Sequence, residues 1–248
     1  MRVVLIFILS AFFTVKVIGQ YNEFSIHVTS GLFSFGGSDA ASSTFLFFNT
    51  PISPSTSYKV VNPYGTNSGF SYGFGFQAQR LTKSNYIIGL QTCYESLSSK
   101  VKIDSAMTFN SNGVFINYNV SDGKTILTHQ FLNFQPYFGK RIKIFKEVKT
   151  DLTLGLDIGV CLNYKEHTTG TYSQGNKFDI TNYELFKPTD APKSIFDLRP
   201  RFEFKNYYKK IGLTVGYSYG LTNYTDYGFF HPNEVFSRMI RIGFAYKI

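Results

Sequence analysis

The chain has 248 residues, 43% of them hydrophobic and 18% aromatic, with 27 Phe, 18 Tyr and no Trp, and a formal net charge of +9. That length suits one large domain. Two cysteines, Cys93 and Cys161, do not suggest a disulfide framework and are expected to be inert thiols, a single native disulfide between them being the alternative. Beyond the N-terminus no stretch reaches the ~18 consecutive apolar residues of a spanning helix, which excludes a helical membrane bundle.

The chain begins with a short positive start at Arg2, an apolar run from Val3 to Val15, and small residues near Gly19. This pattern predicts a secretory signal peptide over 1–19, with Val17-Ile18-Gly19 as the cleavage site and 20–248 as the mature domain. The run is too short for a membrane anchor, and no Cys lies near the cleavage site to take a lipid.

Period-2 alternation then recurs, the mark of strands with one apolar face. Strand one sets Phe24, Ile26, Val28 and Leu32 against Ser25, His27, Thr29 and Gly31. Strand two sets Phe70, Tyr72, Phe74, Phe76 and Ala78 against Ser71, Gly73, Gly75, Gln77 and Gln79. Strand three sets Tyr86, Ile88, Leu90 and Tyr94 against Gly89, Gln91, Cys93 and Glu95. Strand four, less regular, alternates Leu132, Phe134, Pro136 and Phe138 with Asn133, Gln135, Tyr137 and Gly139. Strand five runs Leu152 to Asn163, strand six Phe196 to Lys205, strand seven Ile211 to Leu221, and strand eight Arg241 to Ile248. Pro136 and Pro200 cannot donate to a ladder and are expected at bulges.

The connections alternate in length. Short ones fall at 82–84, 143–148 and 206–209; long ones fall at about 36–68, 100–126, 165–193 and 222–235. Short turns at one end and long loops at the other are the rhythm of a transmembrane β-barrel. Aromatic residues at the ends of the apolar faces, such as Tyr86, Tyr94, Tyr219 and Tyr246, suit an interfacial girdle. The expected fold class is therefore all-β, a transmembrane antiparallel up-and-down barrel of eight strands, with both termini on the short-turn side. Loops two and three are expected to extend their hairpins above the barrel, and Phe45 to Phe48 is read as an apolar turn over the mouth or a contact patch for a partner.

An eight-stranded barrel is just wide enough to be filled by side chains. The inward faces carry a candidate charge network of Glu95, Asp157, Asp197, Arg199, Arg201, Glu203 and Arg241, with glycines leaving room for the long side chains. Acids and bases pointing inward together can neutralise one another, and an unpaired buried charge would be costly. The alternative is a narrow path for ions or small solutes. Much of the excess basic charge sits at the short-turn end: Arg80, Lys83, Lys140, Arg141, Lys143, Lys146, Lys149, Lys205, Lys209, Lys210 and Lys247, of which Lys205 and Lys247 also fall on inward faces. It is read first as solvated or snorkelling charge, and second as attraction to anionic headgroups or an acidic partner. Nucleic acid is excluded as a partner, because these bases lie on the rim of a secreted membrane protein.

No His-x-x-x-His or Cys-x-x-Cys spacing suggests a metal, no cofactor motif is present, and no catalytic residues are assigned. The one enzymatic alternative, a rim lipase or protease, would need His129 or His231 near Ser and acid groups.

The closing run adds a resemblance. Arg241, Gly243, Tyr246 and Ile248 fill the four specified positions of the C-terminal assembly signal of bacterial outer-membrane barrels, with Ile248 where that signal usually has Phe. Taken with the leader and the strand rhythm, the chain resembles the PorT-like outer-membrane barrel families and the small eight-stranded barrels of the outer-membrane protein A and X type. The resemblance implies a non-enzymatic, porin-like cell-envelope protein in the bacterial outer membrane with periplasmic termini. It also implies contact with outer-membrane lipid, recognition of the closing strand by the barrel-assembly machinery, and external loops for binding or scaffolding a protein partner. A peptidoglycan-binding domain after the barrel, and with it a wall anchor, is not expected.

Overall fold

The computed structural model describes residues 21–48, 58–109, 114–145, 147–172, 175, 177–185, 196–224 and 234–248. The leader expected at 1–19, and His231, lie outside these residues. Eleven strands are present: β1 (Tyr21–Gly36), β2 (Ser43–Phe48), β3 (Tyr58–Val60), β4 (Asn67–Leu81), β5 (Tyr86–Phe109), β6 (Phe115–Lys143), β7 (Val148–Tyr172), β8 (Lys177–Leu185), β9 (Phe196–Tyr208), β10 (Ile211–Tyr219) and β11 (Phe236–Lys247).

Eight of them close a ring in the order β1-β4-β5-β6-β7-β9-β10-β11 and back to β1. Every ladder in the ring is antiparallel. Closure removes the free sheet edge, so each ring strand has a hydrogen-bonded neighbour on both sides. The seam is the β1–β11 ladder, from Ser25 against Lys247 to Gly36 against Phe236. The closing strand thus starts at Phe236, five residues before the alternation alone suggests. Its earlier part is hidden in the sequence because Arg238 takes an outward position.

The stagger of the ring follows from its registers. From His27 one way round, partners run through Gly75, Cys93, Asn133 and Gly159 to Asp197. The other way they run through Ala245 and Gly212 to Tyr207, on the same strand but ten residues from Asp197. A shear of ten over eight strands tilts them by roughly 40°.

The other three strands and the upper parts of β5, β6 and β7 lie in what the sequence suggests are loops. β2 pairs in parallel with β5, β3 pairs with β2, and β8 pairs with β7 above the point where β9 leaves it. Together they form an external sheet, β3-β2-β5-β6-β7-β8. The segment Phe45 to Phe48 is therefore a strand, with Leu46 and Phe48 buried. The sheet has its own core, in which Leu46, Phe48, Val60, Ile103, Ala106, Tyr172 and Phe178 pack together. Burial there pushes the Tyr172 hydroxyl up to about 12.

The two prolines interrupt ladders without bulging them. Pro136 pairs with Leu90 on one side, while on the other the β6–β7 register skips from Phe134–Ile158 to Tyr137–Gly155 with no offset. Pro200 pairs with Leu156 and lies beyond the last β9–β10 pair, Arg201–Ser218. The register shifts of β6 against β7 fall elsewhere, at Ser121/Lys124 and Gln130/Phe131. The first of these accompanies Asp122, whose φ of 52° is unusual for a residue other than Gly.

Candidate functional site, the packed lumen

Alternation sends one face of each ring strand outward and the other into the lumen. The outward face is bare and apolar: Phe70, Phe76, Phe138, Phe202, Ile211 and Phe244 are all more than half exposed. On β7 the outward row runs from Leu152 to Leu162; at about 3.3 Å per residue and that tilt it rises roughly 25 Å. Among the described residues, the charged side chains at outward ring positions stand at the ends, with Arg80 and Lys140 below and Arg238 above. At the short-turn end Lys140, Lys209 and Lys210 lie over the rings of Tyr86, Tyr208 and Tyr246 at 5.5, 5.3 and 5.8 Å.

The lumen is filled in tiers. The lowest is built on Arg141, which donates to both oxygens of Asp151 (2.5 and 2.7 Å) and to both oxygens of Glu23 (2.7 and 2.6 Å). Two bidentate carboxylates on one guanidinium use the planar fork that lysine lacks. Lys247 donates to Glu23 at 2.9 Å and lies 3.8 Å from the Tyr207 ring. Arg141 is thus 2% exposed and locked in the lumen, rather than part of the basic short-turn rim. The alternation of β6 turns it inward, and the register sets it beside Asp151.

The upper ionic tier has Glu95 at its hub. Glu95 accepts from Asn133 Nδ2 (2.6 Å), Arg199 Nη2 (3.0 Å), Arg241 Nε (2.9 Å) and Arg241 Nη2 (3.0 Å). One carboxylate on β5 therefore ties β6, β9 and β11 together across the barrel. Asp157 lies 3.3 Å from Arg241 Nη2 and 3.4 Å from Arg201 Nη1. Arg201 also pairs with Glu203, whose second oxygen lies 2.9 Å from Lys205 Nζ. Asp197 accepts from Tyr224 (2.7 Å) and Ser237 (3.1 Å) and lies 3.5 Å from Arg199 Nε. The structure places all seven residues of the candidate network in this one tier, each 1% exposed or less. The ion-paired lumen groups among the described residues are six acids and six bases, since Glu23, Asp151, Arg141, Lys205 and Lys247 add to the seven.

Glycines make the room. A Cβ on Gly89 or Gly212 would strike the ring of Tyr137 or Tyr207, and one on Gly73 would lie 3.0 Å from Glu95 Cγ. The large side chains lie across glycines of neighbouring strands, which covers backbone that would otherwise be bare.

Above the ions sits a cap that the alternation alone does not reveal. Phe33, Phe35, Leu97, Leu127, Phe131, Tyr164, Val235 and Met239 turn inward and pack with Tyr224. Arg199 lies 5.7 Å from the Phe131 ring and joins the two tiers. His129, a candidate for a hydrolase at the rim, belongs to this cap. Its ring meets those of Phe35, Phe131, Tyr164 and Tyr224 at 5.6–6.1 Å, and it is 7% exposed. It does not face solvent as a general base for an external substrate must. Both cysteines are buried free thiols. Among the described residues no group of His, Cys, Asp and Glu could hold a metal ion.

The readable signal for the cap is a change of phase. On β5 the apolar residues Ile88, Leu90 and Tyr94 point outward, but Leu97, Val101 and Ile103 point inward, leaving Lys100, Lys102 and Asp104 outside. The same switch occurs on β1, between outward Val28 and inward Phe33 and Phe35.

No protein-family model and no curated protein matches the chain. Among solved structures it is similar to Neisserial surface protein A, at 11% identity and a TM-score of 0.41, over 91% of this chain and 97% of that one. It is also similar to Ail, the attachment invasion locus protein of Yersinia pestis, in complex with the heparin analogue sucrose octasulfate. There the identity is 9% and the TM-score 0.35, over 94% of this chain and 100% of the other. A mutant of the TodX monoaromatic hydrocarbon channel shares 8% identity at a TM-score of 0.21, over 91% and 90%. Likenesses this low carry no argument about the chain, and the ring of eight rests on its own strand pairing.

Proposed function

We propose that the chain is a non-enzymatic outer-membrane barrel whose lumen is closed by its own side chains and whose external sheet binds or scaffolds a partner. The observation that carries this reading is the Glu95 hub beneath an aromatic cap: charges and rings fill the section through which a solute would pass. An exposed apolar belt of about 25 Å, bounded by tyrosines and lysines, matches the hydrocarbon thickness of a barrel-bearing membrane. Hydrocarbon against this belt replaces the water that would penalise it.

In this reading the short-turn end, with Ile248 and Tyr21, faces the periplasm. Residues 1–19 are the leader, the closing run Arg241, Gly243, Tyr246 and Ile248 is read by the assembly machinery, and the kinship is with PorT-like families. The external sheet is the part with a surface of its own in water, and binding or scaffolding belongs there.

Planar-bilayer recording of the refolded mature protein tests the closed lumen. The expected record is a quiet baseline. Steady unitary currents would replace this reading with that of a narrow pore.

A further inference from the structure

We propose that the turn between β6 and β7 is a second, smaller docking surface at the short-turn end, which takes an acidic protein segment carrying apolar side chains. It does not depend on what the external sheet binds. Its placement in the periplasm rests on the orientation proposed above.

The hairpin reaches past the rim. The β5–β6 ladder ends at Tyr86–Lys140, where the lysine lies over the tyrosine ring. β6 and β7 go on pairing through Arg141–Asp151, Ile142–Thr150 and Lys143–Lys149, and the amides of Ile144 and Phe145 both donate to the Val148 carbonyl, at 3.3 and 3.5 Å. Ile144 thus stands roughly 10 Å past Lys140 along the barrel axis, at about 3.3 Å per residue and the tilt of the ring. The headgroup layer on one side of a bilayer is only about 5–8 Å deep. Yet Ile142, Ile144 and Phe145 are 44%, 52% and 70% exposed.

That order is the reverse of a lipid edge. Toward water a barrel wall runs from apolar to aromatic to charged; here apolar residues return beyond the lysine. Lipid covers side chains above its headgroups and not beyond them. A contiguous apolar tip in water marks an interaction site.

Charge selects the partner. Lys143 and Lys149 stand directly opposite each other on the lumen-side face of the hairpin, and like charges so placed repel. The acids above them, Asp151 and Glu23, are already held by Arg141. Among the described residues Lys83, Lys140, Lys209 and Lys210 are also exposed at this end, against Glu147 and the terminal carboxylate of Ile248. A carboxylate set between Lys143 and Lys149 relieves their repulsion, while apolar side chains of the same segment cover Ile144 and Phe145.

The test uses the refolded mature protein in nanodiscs of phosphatidylcholine, which offer no anionic lipid, and a labelled synthetic peptide that alternates Glu and Leu. Fluorescence anisotropy should show saturable binding. It should weaken at least tenfold in Phe145→Ser, in the double variant Lys143→Gln with Lys149→Gln, and when serine replaces the leucines of the peptide. No binding, or binding that responds to salt but ignores Phe145→Ser, overturns the site in favour of diffuse rim charge. The chain has no Trp, so Phe145→Trp supplies a single reporter. Its emission should be that of an indole in water, unquenched in vesicles of phosphatidylglycerol brominated on the acyl chains, and should move to the blue when the peptide binds. Quenching without peptide means that the leaflet covers the tip, and overturns the inference too. In intact cells Phe145→Cys should react with a membrane-impermeant maleimide only after the outer membrane is opened. Reaction before that puts this end outside and overturns the periplasmic partner, while a quiet bilayer record would still leave the closed lumen standing.

Discussion

The ring and the external sheet share three continuous strands, β5, β6 and β7, yet are built on opposite cores. Inside the ring the buried groups are Arg141, Arg199, Arg201, Arg241 and their carboxylates; inside the sheet they are Leu46, Phe48, Val60, Ile103 and Phe178. The backbone is the same, so the difference lies in what stands outside. Where hydrocarbon covers the outer face, apolar side chains lose nothing by pointing out, and the narrow interior must take polar groups in matched pairs. Where water covers it, the hydrophobic effect resumes its usual direction. The phase change on β5 between Tyr94 and Leu97 marks the height at which one solvent gives way to the other.

The sharpest way to break this comparison is at the hub. Glu95→Ala strands Arg199 and Arg241 in a buried site, and losing one partner of such a pair costs about 3–5 kcal/mol. Urea unfolding of the refolded barrel in detergent or vesicles should show a loss of that size; a loss under 1 kcal/mol would mean that the tier is hydrated and the lumen open. Next is the outer face. Phe76→Arg should cost about 2–4 kcal/mol when folding is measured into vesicles, whereas exchanging Lys102 for Arg on the external sheet should cost almost nothing, since Lys102 is 66% exposed. Equal costs at the two sites would remove the distinction between the two solvents.

A smaller effect tests whether the sheet has a true core. Ile103→Val should cost about 1 kcal/mol, read as faster amide exchange in β2 and the upper part of β5 with the lower ring unchanged. Smallest is the hairpin between β9 and β10, where Lys209 is held at a φ of 52°. Lys209→Gly relieves the left-handed strain and should raise stability by about 0.5 kcal/mol, visible as a small rise in the urea midpoint.

The faces of the ring strands were legible because period-2 alternation survives any neighbour: Phe70 to Ala78 and Leu152 to Leu162 need only their own sequence to declare a side. The identities of the lumen charges were legible for the same reason. Their partners were not. That Glu95 meets Arg241 depends on the shear of the closed ring, which no single strand encodes. Arg141 resembles a rim residue because it sits among lysines near a turn, yet it continues the inward series of Asn133, Gln135, Tyr137 and Gly139, and the register supplies its partner, Asp151. The cap was missed because a reading that expects apolar residues outside ends strand three at Glu95, where the phase changes. β2 was out of reach altogether, since its parallel contact with β5 joins segments more than fifty residues apart.

The six-to-six balance of the lumen has a consequence for the whole molecule. A filling with no net charge feels no net pull from a voltage or Donnan potential along the barrel axis, so it neither drifts nor has to be held in place against the field. Added salt should therefore act almost wholly on the exposed charges, the lysines of the short-turn rim and the Lys102–Asp104 pair of the external sheet, and leave the interior nearly indifferent to ionic strength.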